Sequence, residues 1–374
     1  DRSPSRGLGD VYKRQGLPNP TMSHSASRSN VCWRGAKRAR NLSNTQPSLS
    51  DGFARVATMP PELPARLPRV IAAPMAGGPS TPELVNSVSF GFLAWGTCSI
   101  DRAREELSLI DEPFGINLFY PQRDEPRTED LKAIASELGA EIPEPDYTFG
   151  FHEKLDLALD DGRAAIISCT FGCFTEAEFK RIHDAGIQAW VTVTNEVDAL
   201  KAAELGADGV IVQGPKAGGH RSTWTITEEP DERDIEQLLS GIFRHVNIPI
   251  IAAGGARTPE DVERLIEWGA NSVACGSAFL LADEAGTSAT NRDVLRAGGT
   301  SVSTRAFSGR YARGVETRFT REHDDLPPLY PQLNAMQKPL RSNPDHGYCL
   351  VGEDFTGKLQ EGPAAEIEAK LLGR

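Results

Sequence analysis

The sequence is short of the features that hold together small secreted scaffolds or membrane proteins. Its six cysteines in 374 residues include no C-x2-C pair, which argues against a zinc ribbon and fits a reducing compartment better than a disulfide scaffold. Cys169 and Cys173 are separated by three residues and unmatched by a second pair, and Cys275 falls in an apolar run that suits core packing. Free thiols fit a reducing compartment, and a cytoplasmic location is expected. No run approaches the ~18 apolar residues of a membrane-spanning helix, so a soluble chain with no membrane partner is expected. No G-x-S-x-G occurs, which argues against a serine hydrolase elbow. Positive charge is also short: 40 Lys and Arg face 52 Asp and Glu, a net −12, which argues against nucleic acid as the main partner. What is present is an ordinary globular balance, 39% hydrophobic and 25% charged, incompatible with a largely disordered chain.

The charge is unevenly spread. Residues 1–58 hold ten Lys and Arg against three Asp and Glu, with abundant Ser and no sustained apolar periodicity. A transit peptide and a basic disordered tail both fit this composition. A third reading is preferred: residues 3–15, SPSRGLGDVYKRQ, resemble the conceptual translation of a sequencing adaptor. Segment 1–58 is therefore set aside as disordered or non-native, with Met59 as the natural start of the folded body.

From Val70 onward, short apolar runs alternate with amphipathic stretches, the pattern of a parallel α/β sheet. Eight strands are expected, at 70–75, 90–96, 114–119, 164–169, 189–193, 209–214, 248–255 and 272–278. Helices are expected at 81–89, 101–110, 175–185, 195–205, 233–244 and 258–267. Thr175, Asn195 and Thr258-Pro259 supply helix starts, and Gly206 and Gly269 supply stops. Eight such units predict an α/β fold of the (β/α)8 TIM-barrel class over 59–320. A doubly wound sheet is second choice, because no G-x-G-x-x-G follows the first strand. Segment 121–163 breaks the rhythm and is read as a lid-like insertion after the third strand, with a helix at 131–139. Residues 321–374 are expected to form a C-terminal extension packed on the barrel, with a terminal helix near 363–372.

Barrel active sites lie at the C-terminal ends of the strands. Gly254 and Gly255 follow the seventh strand, and Gly276 and Ser277 close the eighth, where barrels commonly bind phosphate through backbone N–H groups and a helix N-terminus. The sixth strand runs into Gln213-Gly214-Pro215-Lys216-Ala217-Gly218-Gly219-His220. His220, polar and just past a strand end, is where a general base is useful at neutral pH. The other histidines, His24, His152, His183, His245, His323 and His346, have no such setting. Trp95, Tyr120 and Tyr311 fit either a pocket wall or the core.

The segments APMAGG (73–78), GINLF (115–119), QGPKAGGH (213–220), AAGG (252–255), CGSAF (275–279) and SGRYARG (308–314) resemble, in order and at barrel spacing, those of the nitronate monooxygenases, formerly 2-nitropropane dioxygenases. The resemblance covers about 68–320. It implies FMN across the barrel mouth, with Pro74, Met75 and Asn117 facing the isoalloxazine and Gln213 bonding its polar edge. Gly219, Gly254, Gly255, Gly276 and Ser277 would carry the ribityl phosphate. It further implies oxidation of an alkyl nitronate by O2 to a carbonyl compound and nitrite, with His220 as the catalytic base toward a neutral nitroalkane. Lys216 and Arg221 would attract the anionic substrate, although the family commonly has an acidic residue where Lys216 stands. The rival reading on the same barrel is an FMN-dependent NAD(P)H:quinone or enoyl-thioester reductase. A barrel that only binds a phosphate ligand is the non-enzymatic alternative.

Overall fold

A computed structural model describes residues 67–111, 113–122 and 124–374, so the N-terminal segment and the start at Met59 lie outside the described residues. The strands in chain order are β1 (Val70–Ala72), β2 (Phe92–Ala94), β3 (Gly115–Phe119), β4 (Ile166–Thr170), β5 (Gln188–Val193), β6 (Gly209–Gln213), β7 (Gly219–His220), β8 (Ile250–Ala253) and β9 (Ser272–Cys275). All but β7 form one eight-stranded parallel sheet in the order β1-β9-β8-β6-β5-β4-β3-β2. A parallel bridge between Ala72 and Gly91 joins the two ends, closing a (β/α)8 TIM barrel. Strand one is shorter than its apolar run because Pro74 has no N–H for a ladder. Strand seven of the barrel, β8, stops where Gly254 and Gly255 take φ of +115° and +84°.

Alternation along each strand builds the two sides of the barrel wall. Ile71, Phe92, Ile166, Trp190, Ile211 and Ile251 pack together in the lumen. Their neighbours Val70, Leu93, Ile167, Val191, Val210 and Ala252 join the larger layer shared with the helices. Gly115 and Gly209 make room for the lumen: a Cβ there would lie 2.4 Å from the Phe92 ring and 2.6 Å from the Trp190 ring. Toward the C-terminal ends the lumen turns polar, with Asn117, Ser168, Thr192 and Gln213 at alternate positions.

The expected helix starts form. Thr175 and Thr258 close capping boxes with Glu178 and Asp261, and Asn195 accepts from the Asp198 N–H at 2.8 Å. Segment 121–163 holds two helices rather than one, Thr128–Leu138 and Phe151–Asp161, and the second supplies the crossover between β3 and β4. Its apolar face is interrupted in sequence by Lys154, which is nonetheless buried, its ammonium donating to the Trp95 and Phe149 carbonyls at 2.7 and 2.6 Å. A helix whose buried row contains a lysine has a weak periodic signal.

After the barrel, β10 (Ser301–Thr304) and β11 (Ala312–Val315) form a small antiparallel sheet with β7, pairing Ala312 with His220 and Arg313 with Gly219. Farther on, Leu329, Leu333 and Met336 pack on Leu131, Ile134 and Ala135 of helix Thr128–Leu138. Ala364, Ile367 and Leu371 of the last helix enter the main core. Among the described residues no helix is long and apolar enough to cross a membrane.

Candidate active site

The strand ends present a polar rim around a partly exposed mouth. Asn117 on β3 is buried and donates through Nδ2 to Ser168 at 2.9 Å and to Thr170 at 3.1 Å on β4. Thr170 in turn lies 3.4 Å from the Thr192 hydroxyl on β5. Pro74 and Met75, past the end of β1, stay partly exposed, and the Met75 N–H donates to Ser80 Oγ at 2.8 Å. Gln213, at the end of β6, donates through Nε2 to the His220 carbonyl at 2.7 Å and accepts from the Ser222 N–H at 2.9 Å. Its amide thus pins both arms of the 214–222 loop, and one Nε2 hydrogen remains for another acceptor.

The five positions expected to carry a phosphate divide by geometry. A Cβ on Gly219 would meet nothing within 4 Å, and on Gly255 or Gly276 only ordinary contacts of 3.6–3.7 Å, with Lys216 in the first case and Ala73 and Met75 in the second. These three leave a cradle that a side chain would fill, and the backbone there suits an anion. Gly254 is different: a Cβ would sit 2.8 Å from the Ala217 nitrogen, so close chain approach already demands glycine there. Ser277 Oγ accepts from the Gly352 N–H at 2.8 Å, which ties the C-terminal extension to the end of β9. Lys216, Arg257 and Arg313 gather around Glu353 of the C-terminal extension, whose carboxylate lies 3.8 Å from Lys216 and 3.6 Å from Arg313 and whose carbonyl accepts from Arg257. A cleft of about 420 Å³ beside Gly254 and Gly255 is lined by Lys216, Arg257, Asp354 and Lys358 among others. The helix after β8 adds little to an anion site, because Asp261 already accepts from the Arg257 and Thr258 N–H groups at 3.0 and 3.1 Å.

His220 is held in place by partners from distant parts of the chain. Its Nε2 lies 2.8 Å from Ser308 Oγ, and Ser308 is 3.3 Å from the Arg310 carbonyl, to which its hydroxyl can donate. In that arrangement Nε2–H donates to Ser308 and Nδ1 carries the free lone pair, making no hydrogen bond among the described residues. Phe171 and Tyr330 stand edge-to-face against the imidazole, with centroids 5.8 and 5.6 Å away. Burial among these rings, then the positive charges of Arg310 and Arg341, push the His220 pKa down to about 3. The ring is therefore neutral throughout the physiological range.

The structure brings His220, Gln213 and the glycine loops together, but it removes one expected anion attractor. Arg221 is fully buried, donating to the Asp231 carbonyl at 2.9 Å and pairing with Glu232 at 3.4 Å. Trp95 belongs to the core, its indole donating to Glu106 at 3.0 Å. The cations that do act on His220, Arg310 and Arg341, and the rings of Phe171 and Tyr330, were not foreseen. Ser308 and Arg310 lie in the SGRYARG segment, where a signal existed; Tyr330 and Arg341 lie in loop-rich sequence without one.

Comparison with known proteins adds a family to this geometry. The nitronate monooxygenase family model matches residues 65–372. The nitronate monooxygenase of Pseudomonas aeruginosa is 31% identical over 81% of this chain and 95% of its own length. Among solved structures, nitroalkane oxidase from Streptomyces ansochromogenes superposes with a TM-score of 0.74 at 31% identity, covering 82% of this chain and 94% of that one. FabK from Thermotoga maritima, at 20% identity and a TM-score of 0.63 over 82% of this chain and 91% of its own, shares the fold alone.

Proposed function

The chain belongs to the nitronate monooxygenase family and is an oxidoreductase, and from that premise we propose that it oxidises alkyl nitronates by O2 to a carbonyl compound and nitrite, using FMN. Bound FMN would supply the electron transfer between substrate and oxygen. The residues present fit such a group: Gly219, Gly255 and Gly276 leave the open cradle for its phosphate, with Gly254 and Ser277 shaping the loops beside it. Pro74, Met75 and Asn117 would lie along the isoalloxazine, and the spare Nε2 hydrogen of Gln213 would meet its polar edge.

The chain's own chemistry centres on His220. Nδ1 is the atom that would accept the α-proton of a neutral nitroalkane while Ser308 fixes the ring plane through Nε2, and the burial and positive charges that depress the His220 pKa mean that the proton is held only with the new anion beside it. Phe171 and Tyr330 flank the imidazole, which stays partly exposed at the mouth. The observation that carries this reading is His220 held at the strand ends, its Nε2 against Ser308 and its carbonyl against Gln213.

The test is the visible spectrum of the purified protein under anaerobic conditions. A yellow protein whose flavin bleaches with an alkyl nitronate, and not with NAD(P)H alone, supports the proposal. Bleaching by NAD(P)H with no response to nitronate assigns the reductase instead. A colourless protein that releases no flavin on denaturation leaves only a phosphate-ligand-binding barrel.

A further inference from the structure

Two guanidinium groups beside His220 have no carboxylate partner. Arg310 is 1% exposed, yet no Asp or Glu among the described residues lies within ion-pairing distance of it. Its Nη atoms donate to the Thr223 carbonyl and hydroxyl at 2.7 and 2.9 Å and to Gln122 Oε1 at 2.8 Å, and its Nε is buried with no hydrogen-bond partner. Glu228 and Asp124 act on it only at longer range. Arg341, in the C-terminal extension, donates through Nη2 to Asn334 Oδ1 at 2.6 Å and lies over the Tyr348 ring at 3.7 Å, and its Nε is likewise buried and unpartnered. No carboxylate pairs with it among the described residues either.

Both arginines are built into the His220 surroundings. Arg310 lies 4.2 Å over Phe171 and 5.7 Å over Tyr330, the two rings that flank the imidazole. Arg341 is joined through Asn334, whose N–H donates to the Ser308 carbonyl at 3.1 Å. Both charges oppose a proton on His220. A buried cation with only neutral acceptors is expensive to maintain, and an incoming anion relieves that cost.

We propose that Arg310 and Arg341 form a preformed site for a small planar oxyanion beside His220, which holds the nitronate both when it enters as such and when it is formed there from a nitroalkane. The inference rests on reading the barrel mouth as the nitronate site, and it deepens that reading. A guanidinium fork matches two coplanar oxygens, a feature shared by a nitronate and by inorganic nitrate or nitrite. A neutral nitroalkane offers no charge to satisfy the pair. A base as weak as His220 holds an abstracted proton only while the new anion stays beside these arginines. Arg341 comes from the extension beyond the barrel, so this part of the site is assembled only in the complete fold.

The experiment titrates the full-length, flavin-loaded protein with sodium nitrate at constant ionic strength, followed by calorimetry, and repeats it with Arg341→Gln. Arg310→Gln is a second variant, but its buried position puts folding at risk, whereas Arg341 is only partly buried. Exposed Arg318→Gln serves as the charge-matched control. The expected result is saturable nitrate binding that competes with an alkyl nitronate. Arg341→Gln should weaken it about tenfold or more and raise the nitronate KM similarly, as loss of one charge-assisted contact does. Nitrate binding that is absent, or equal in wild type, Arg341→Gln and the control, overturns the proposal. Nitronate turnover with an unchanged KM in Arg341→Gln also overturns it while leaving the nitronate reading standing. Nitrate binding lost in Arg341→Gln, with no turnover of any nitronate, keeps the oxyanion site and overturns the nitronate reading instead.

Discussion

His220 and Ser308 are 88 residues apart in sequence, and their side chains meet at 2.8 Å. The contact is made possible by the antiparallel pairing of β7 with β11, which places Ala312 opposite His220 and lets the Arg221 N–H donate to the Tyr311 carbonyl at 2.8 Å. A two-residue strand after β6 thereby converts a glycine-rich loop into a fixed mount for the imidazole.

His220→Asn keeps approximate size and hydrogen-bonding capacity but removes the titratable nitrogen. FMN should stay bound, turnover of a neutral nitroalkane should fall by ~10²–10⁴, and oxidation of a pre-formed nitronate should fall less. Rates on both substrate forms at matched flavin content check this. Equal losses on both would make His220 an anion-orienting group, and no loss on either would remove it from catalysis.

Gly276 is the cleanest probe of the phosphate cradle. Its φ of −101° is ordinary for any residue, and a Cβ would make only normal contacts with Ala73 and Met75. Gly276→Glu should therefore fold while placing a carboxylate where phosphate is expected. Flavin content after gel filtration should drop to near zero, and the Tm should become insensitive to added FMN. A variant that retains full flavin would put the phosphate elsewhere.

The depressed His220 pKa has a signed consequence for stability. With a folded value near 3 against about 6.5 when unfolded, the unfolded chain binds more protons between those limits. The contribution is fully present above about pH 6.5 and is lost progressively as pH falls toward 3. Asp198 works in the opposite sense, since burial and then Glu228 raise its pKa to about 7, so its contribution is lost as pH rises through that value. Comparing Tm against pH in wild type and His220→Asn isolates the histidine. The variant should lose less stability between pH 6.5 and 4, and parallel curves would contradict the assigned desolvation.

Segment 1–58 differs in charge from the rest of the chain and lies outside the family match, which begins at residue 65. A chain beginning at Met59 should remain soluble and bind flavin as tightly as the full chain. Flavin fluorescence titration of both forms measures this, and loss of soluble yellow protein on truncation would show that the segment is needed.

Local pattern alone determined the barrel. Two-residue alternation made runs such as GVIVQ (209–213) and IIAA (250–253) strands buried on both faces, and Thr175, Asn195 and Thr258 started the helices expected of them. The open glycines and His220 were legible for the same reason, because strand ends can be counted along the chain and barrel chemistry sits there. Helix Phe151–Asp161 was not legible, since Lys154 in its buried row finds its acceptors only on the carbonyls of Trp95 and Phe149. The charge environment of His220 was not legible either. Arginine carries the same charge wherever it stands in a sequence, and only folding decides whether water and carboxylates are excluded from it. Arg221 looked like an exposed attractor next to His220 and is instead buried against Asp231 and Glu232. Arg310 and Arg341, 90 and more residues beyond His220, are the cations that tertiary packing leaves without an ion-pair partner among the described residues and near enough to act on the imidazole, because desolvation and Coulomb energy depend on distance in space and not on position in the chain.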